Sequence, residues 1–61
     1  MNRKELYDKI QKMALERKKR RITQEALSQM TGVSRSHISN FERGVVNNMY
    51  LYDFYQKMFG G

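Results

Sequence analysis

The sequence predicts an all-α fold, a compact bundle of four or five short helices. Three observations carry this. Apolar residues recur at helical spacing in the first and last segments of the chain. Cap-forming residues and single glycines divide the middle into two helix-length pieces. No stretch alternates apolar and polar residues over strand length, and Val45-Val46 is the only β-like pair.

The first helix is expected over about residues 3–20. Leu6, Ile10, Met13 and Arg17 share one face, flanked by Tyr7 and Ala14. Asn2 suits an N-cap, and strong helix formers fill the positions between. The run Arg17-Lys18-Lys19-Arg20-Arg21 closes the segment, where the helix dipole is negative and favours cations. Thr23 reads as the cap of a second helix, about residues 24–31; Ala26 stands three residues on, so there is no capping box. Gly32 then supplies the left-handed residue that helix ends prefer. Ser34 caps a third helix, about residues 35–43. Its inner face is Ile38, Phe41 and Glu42, and its outer face Arg35, Ser36, Ser39, Asn40 and Arg43. Gly44 stops it. Asn48 caps the last helix, about residues 49–59, whose apolar stripe is Leu51, Phe54, Tyr55 and Met58, widened by Tyr52 and Phe59.

Sixty-one residues suffice for one domain with a thin core. The absence of cysteine excludes disulfides, thiolate metal sites and cysteine nucleophiles. The single histidine, His37, cannot build a metal site alone, so neither metal nor cofactor is expected. There is no phosphate-binding loop, no nucleophile beside a base and no carboxylate pair in a plausible cleft; an enzyme and a small-molecule ligand are not expected. Nothing approaches the roughly 20 consecutive apolar residues of a membrane span, and no signal peptide is visible. Cysteine-free composition fits a reducing compartment, and a cytoplasmic protein is expected.

Net charge is +6. Residues 1–21 hold nine Lys/Arg against three Asp/Glu, whereas residues 22–61 hold three of each. The whole excess therefore lies in the first third, and it points to nucleic acid or another anionic surface as partner.

The stretch from Thr23 to Gly44 carries the functional signal. Two helices crossing steeply over a short turn need a glycine in that turn, here Gly32, and a small residue where their backbones approach, here Ser28. Leu27, Val33, Ile38 and Phe41 fill the wedge between them. A helix held this way presents its first turns outward. Thr23-Gln24-Glu25, the turn Thr31 to Ser36, Ile38-Ser39 and Glu42-Arg43-Gly44 closely resemble the helix-turn-helix of the phage repressor and Cro family, also called the xenobiotic-response-element family. The match spans roughly residues 10–59. It implies a lambda-repressor-like bundle in which the second and third helices form the helix-turn-helix. The sequence departs from that pattern in four places. Ser28 replaces the usual alanine, Arg21 the frequent glycine, and the loop after Gly44 lacks a common proline. Family domains also usually have five helices, where four are visible here.

Arg35, Ser36, Ser39 and Asn40 are the base-reading candidates, since a forked arginine grips guanine and an asparagine suits an adenine edge. Gln24 stands where the family glutamine touches a phosphate and braces the recognition helix. Thr23, Ser34, His37, Arg43, Arg20, Arg21 and Lys19 are further phosphate candidates, with the two arginines preferred over Lys18 and Lys19. The resemblance assigns Arg17 and Glu42 to an internal ion pair. His37 is otherwise polar surface, with a pH switch the less favoured reading. Tyr50, Tyr52, Tyr55, Met58 and Phe59 exceed what a thin core needs and are expected at a dimer contact, which Leu15 could join.

The expected function is that of a transcriptional regulator binding double-stranded DNA at a two-fold operator as a homodimer, Cro-like or repressor-like, as in phages and mobile elements. Two alternatives stand beside it. One is an antitoxin or restriction-modification controller built on the same domain. The other is a protein-interaction module that keeps the fold without DNA binding.

Overall fold

A computed structural model describes residues 2–60. Its regular structure is four helices, α1 (Arg3–Lys19), α2 (Gln24–Thr31), α3 (Arg35–Glu42) and α4 (Met49–Phe59), with no strand among the described residues. A side-chain oxygen caps every N-terminus. Asn2 Oδ1 accepts from the Glu5 N–H, Thr23 Oγ1 from Ala26, Ser34 Oγ from His37, and Asn48 Oδ1 from Leu51. Each cap satisfies a donor that the helix leaves unpaired and stabilises it by about 1 kcal/mol.

The C-termini explain where the helices stop. After α1, the Arg21 N–H donates to the Lys18 carbonyl and the Ile22 N–H to Arg17. After α3, the Gly44 N–H donates to Phe41 and the Val45 N–H to Asn40. These are the same paired bonds, the Schellman arrangement, and both close on a residue in the left-handed region. That residue is Arg21 (φ 59°) after α1 and Gly44 (φ 78°) after α3. Arg20 and Arg43 open these turns, so α1 and α3 end one residue short of their expected limits. Gly32 (φ 74°) ends α2.

The core comprises Ile10 and Met13 of α1, Leu27 of α2, Ile38 and Phe41 of α3, and Leu51, Tyr55 and Phe59 of α4. α1 packs chiefly on α4, and α2 on α3. Tyr55 meets Phe41 edge-on at 5.1 Å between ring centroids and Phe59 at 5.5 Å. The fully buried row of α4 is therefore Leu51, Tyr55 and Phe59, while Tyr52, Phe54 and Met58 are half-buried. Two dimer-contact expectations are corrected by this rotation. Tyr55 is 0% exposed and Phe59 6%, so neither offers surface to a second subunit. The aromatic excess of α4 is largely core: Tyr55 fills the space between α3 and α4 and spends its hydroxyl on a buried carboxylate.

Candidate nucleic-acid interface

The polar centre of the molecule is Glu42, at the last turn of α3. Arg17 of α1 holds it in a fork, with Nε 2.7 Å from Oε2 and Nη2 3.0 Å from Oε1. Gln24, the first residue of α2, donates Nε2 to Oε1 at 3.0 Å. The Tyr55 hydroxyl of α4 donates to Oε2. One carboxylate thus receives donors from three other helices. Arg17 spends its remaining Nη1 on the Ile22 carbonyl at 2.6 Å, and Gln11 of α1 donates to the Glu42 backbone carbonyl. Arg17 and Glu42 are 5% and 6% exposed. Among the described residues no buried side-chain polar atom lacks a partner. Burial pushes the Glu42 carboxyl up, but the donors from Arg17, Tyr55 and Gln24 together outweigh it and hold the group below its ordinary value. Burial, and then the Glu42 carboxylate, push the Tyr55 hydroxyl well above its ordinary value.

A buried pair of this kind adds little net stability, because desolvating two charges cancels most of their attraction. It adds orientation. α3 cannot rotate or slide without leaving a charge unpaired, so its outward face is fixed relative to α1, α2 and α4.

That outward face is polar throughout. Arg35, Ser36, Ser39 and Asn40 line one open depression together with Gln24 and Arg43. It contains two cations and no acid. Arg43 reaches towards Asn40, with Nη1 3.5 Å from Oδ1. Ser34 and Thr23 sit at the mouths of α3 and α2, their side-chain oxygens engaged as caps. His37 lies half-buried at the edge, with Nε2 3.0 Å from Asn48 Nδ2. The Asn48 amide is oriented by its own cap bond to Leu51, which places its nitrogen towards the imidazole.

The basic run after Glu16 does not form one patch. Arg17 is buried in the ion pair. Arg20, expected at phosphates, is committed elsewhere: Nη1 donates to the Met58 carbonyl at 2.8 Å, Nε pairs with Glu16 at 3.2 Å, and the guanidinium lies 5.6 Å from the Phe59 ring centroid. It caps the end of α4, where carbonyls are free to accept it. Lys19 and Arg21 are exposed. Lys18, which sequence reasoning ranked below the arginines, adjoins the site. It shares one depression with Gln24, Ser39 and Arg43, and another with Thr23, Gln24 and Arg35. The signal that could have found it is register: Lys18 is seven residues from Gln11, on the flank of α1 that meets α3.

Chemically, such a surface can neutralise a polyanion and hydrogen-bond to edges presented in a groove. No three His, Cys, Asp or Glu side chains among the described residues cluster to hold a metal ion. No helix of the described residues is long and apolar enough to cross a membrane. A family model described as helix-turn-helix matches residues 13–48, from within α1 to the cap of α4. No curated protein and no solved structure matches the chain.

Proposed function

This chain belongs to the helix-turn-helix family of Cro/C1 type, and on that footing we propose that it regulates transcription by occupying a two-fold operator as a homodimer. α3 enters the major groove, and Arg35, Ser36, Ser39 and Asn40 read base edges. Gln24, Thr23, Ser34, His37, Arg43, Lys19 and Arg21 are the phosphate-contact candidates. Phosphate contacts supply much of the affinity and make it strongly salt-dependent. The observation that carries this reading is the single polar depression uniting the outer face of α3 with Gln24 and Arg43, on a helix whose rotation is locked through Glu42.

Support for the dimer is an exposed apolar cluster where α2 ends and α4 begins. Met30, Met49 and Tyr50 are 53%, 65% and 55% exposed. The Tyr50 hydroxyl donates to the Thr31 carbonyl at 3.1 Å and ties the two helices together there. Tyr52 and Met58 are half-buried and extend the apolar surface of α4. Leu15, on α1, is also exposed.

Selection of binding sites from a random DNA pool at physiological salt tests the whole reading. The expected product is a two-fold motif with half-sites about 10 base pairs apart. Arg35→Ala is expected to cost about 1–3 kcal/mol on that site and to relax specificity at one position. Recovery of no motif, with binding that vanishes as salt rises, would overturn sequence-specific operator binding.

A further inference from the structure

Four lysines of α1 fall on two different flanks of the helix. Lys4, Gln11 and Lys18 stand seven residues apart, two turns each, with Tyr7 on the same side. This flank looks towards α3 and the loop behind it. Lys18 shares a depression with Tyr7, Gln11, Ser39 and Arg43, and Lys4 shares another with Arg3, Tyr7, Gly44 and Asn47. Lys9 and Lys12 lie on a different flank, beside Gln56 and Phe59 of α4.

The α3-facing flank is held firmly against the recognition helix. Gln11 donates to the Glu42 backbone carbonyl, the open end of α3. Tyr7 lies against Gly44 so closely that a Cβ there would fall 2.7 Å from Tyr7 Cδ1. Arg17 closes the buried pair with Glu42. α1 and α3 therefore move as one body, and Lys4 and Lys18 keep a set position relative to the face that reads bases.

We propose that this flank of α1, with Lys18 and Lys4 as its charged groups, is a second backbone-gripping surface that binds phosphates beyond the base pairs read by α3. It rests on the DNA-binding reading above and extends it. Lys4 and Lys18 are about 21 Å apart along the helix, at 1.5 Å per residue. That span carries the contact away from the Arg35 end of α3, past Arg43, to the N-terminal turns of α1. The partner is the sugar–phosphate backbone, so the contribution is independent of sequence. Tyr7 and Gln11 are positioning residues: they set the flank against α3.

The test uses the intact chain, a random-sequence DNA duplex, and the salt dependence of binding. Each directed phosphate contact contributes about 0.9 to the slope of log K against log salt. Lys4→Ala and Lys18→Ala are each expected to lower that slope by about this amount per bound protomer and to weaken binding severalfold. Lys9→Ala and Lys12→Ala remove the same charge from the same helix and are expected to leave the slope unchanged. Equal effects from all four would reduce α1 to a diffuse field and overturn the proposal, as would no effect from any. Arg35→Ala on a duplex enriched by selection reports separately on the base-reading role. A loss of specificity there, with no difference among the four lysines, overturns the α1 contact alone. A wild-type chain that binds no duplex overturns both.

Discussion

Arg21→Gly is expected to make the protein more stable although it deletes a side chain. The molecule supplies its own comparison. α1 and α3 end in the same paired hydrogen bonds, one closing on Arg21 at φ 59° and the other on Gly44 at φ 78°. A left-handed conformation costs a residue with a Cβ roughly 1–2 kcal/mol. Glycine escapes that cost but loses about 0.5–1 kcal/mol more backbone entropy on folding. The difference leaves a gain of about 0.5–1 kcal/mol. The bonds from Arg21 N–H to Lys18 and from Ile22 N–H to Arg17 are backbone bonds and survive the change. For a domain this small the gain corresponds to a rise in Tm of about 2–8 °C. Thermal unfolding followed by circular dichroism reads it. The substitution also removes one cation from a crowded run, and relief of repulsion would raise Tm for another reason. Arg21→Ala separates the two, because it removes the charge and keeps the Cβ. The expected order is Gly above wild type, with Ala at or below wild type. Gly and Ala rising together would assign the effect to charge, and a Gly variant no more stable than wild type would refute the account of backbone strain.

Four further outcomes follow from the Glu42 centre and from Gly44. Arg17→Met leaves Glu42 buried without its cation and is expected to cost about 3–5 kcal/mol, measured by urea unfolding. Tyr55→Phe keeps the ring between Phe41 and Phe59 but removes the hydroxyl that donates to Glu42, for a loss of about 1.5–3 kcal/mol on the same assay. The pH dependence follows by linkage. Glu42 is depressed on folding, so its contribution is complete above the ordinary carboxylate range and is lost as pH falls through about 4.5 and below. Tyr55 is raised on folding, so its contribution is complete below about pH 10 and declines as the unfolded chain ionises above it. Stability measured against pH should therefore form a plateau between those limits, and Tyr55→Phe should remove its part of the alkaline decline. Gly44→Ala combines a left-handed backbone with a Cβ pressed on Tyr7 and is expected to destabilise by about 1–3 kcal/mol in the unfolding assay.

What was legible in the sequence was local. Asn2, Thr23, Ser34 and Asn48 act on donors three residues ahead, and Gly32 and Gly44 answer a backbone requirement within one turn, so each is readable from a short window. The outward residues of α3 follow from the inward ones, because Ile38, Phe41 and Glu42 leave Arg35, Ser36, Ser39 and Asn40 on the other side. The rotation of α4 was not legible. Leu51, Phe54, Tyr55 and Met58 and the observed row Leu51, Tyr55 and Phe59 are both acceptable helical stripes; the choice is made by Tyr55 reaching a carboxylate thirteen residues earlier in the chain.

The basic run shows the same limit at the functional surface. Consecutive residues of a helix point about 100° apart, so adjacency in sequence scatters charge around the axis. Arg17 turns inward to Glu42, Lys18 adjoins Arg43, Arg20 crosses to the end of α4, and Arg21 leaves the helix altogether. The cations that share a surface with α3 or with the loop that follows it come instead from separated positions: Arg3, Lys4, Lys18, Arg35 and Arg43. A salt dependence that counted the whole run from Arg17 to Arg21 would overstate the number of phosphates gripped. The slope should follow the cations that packing brings to one face, and Lys18 should contribute to it more than Arg20, although the arginine is the better phosphate fork in isolation.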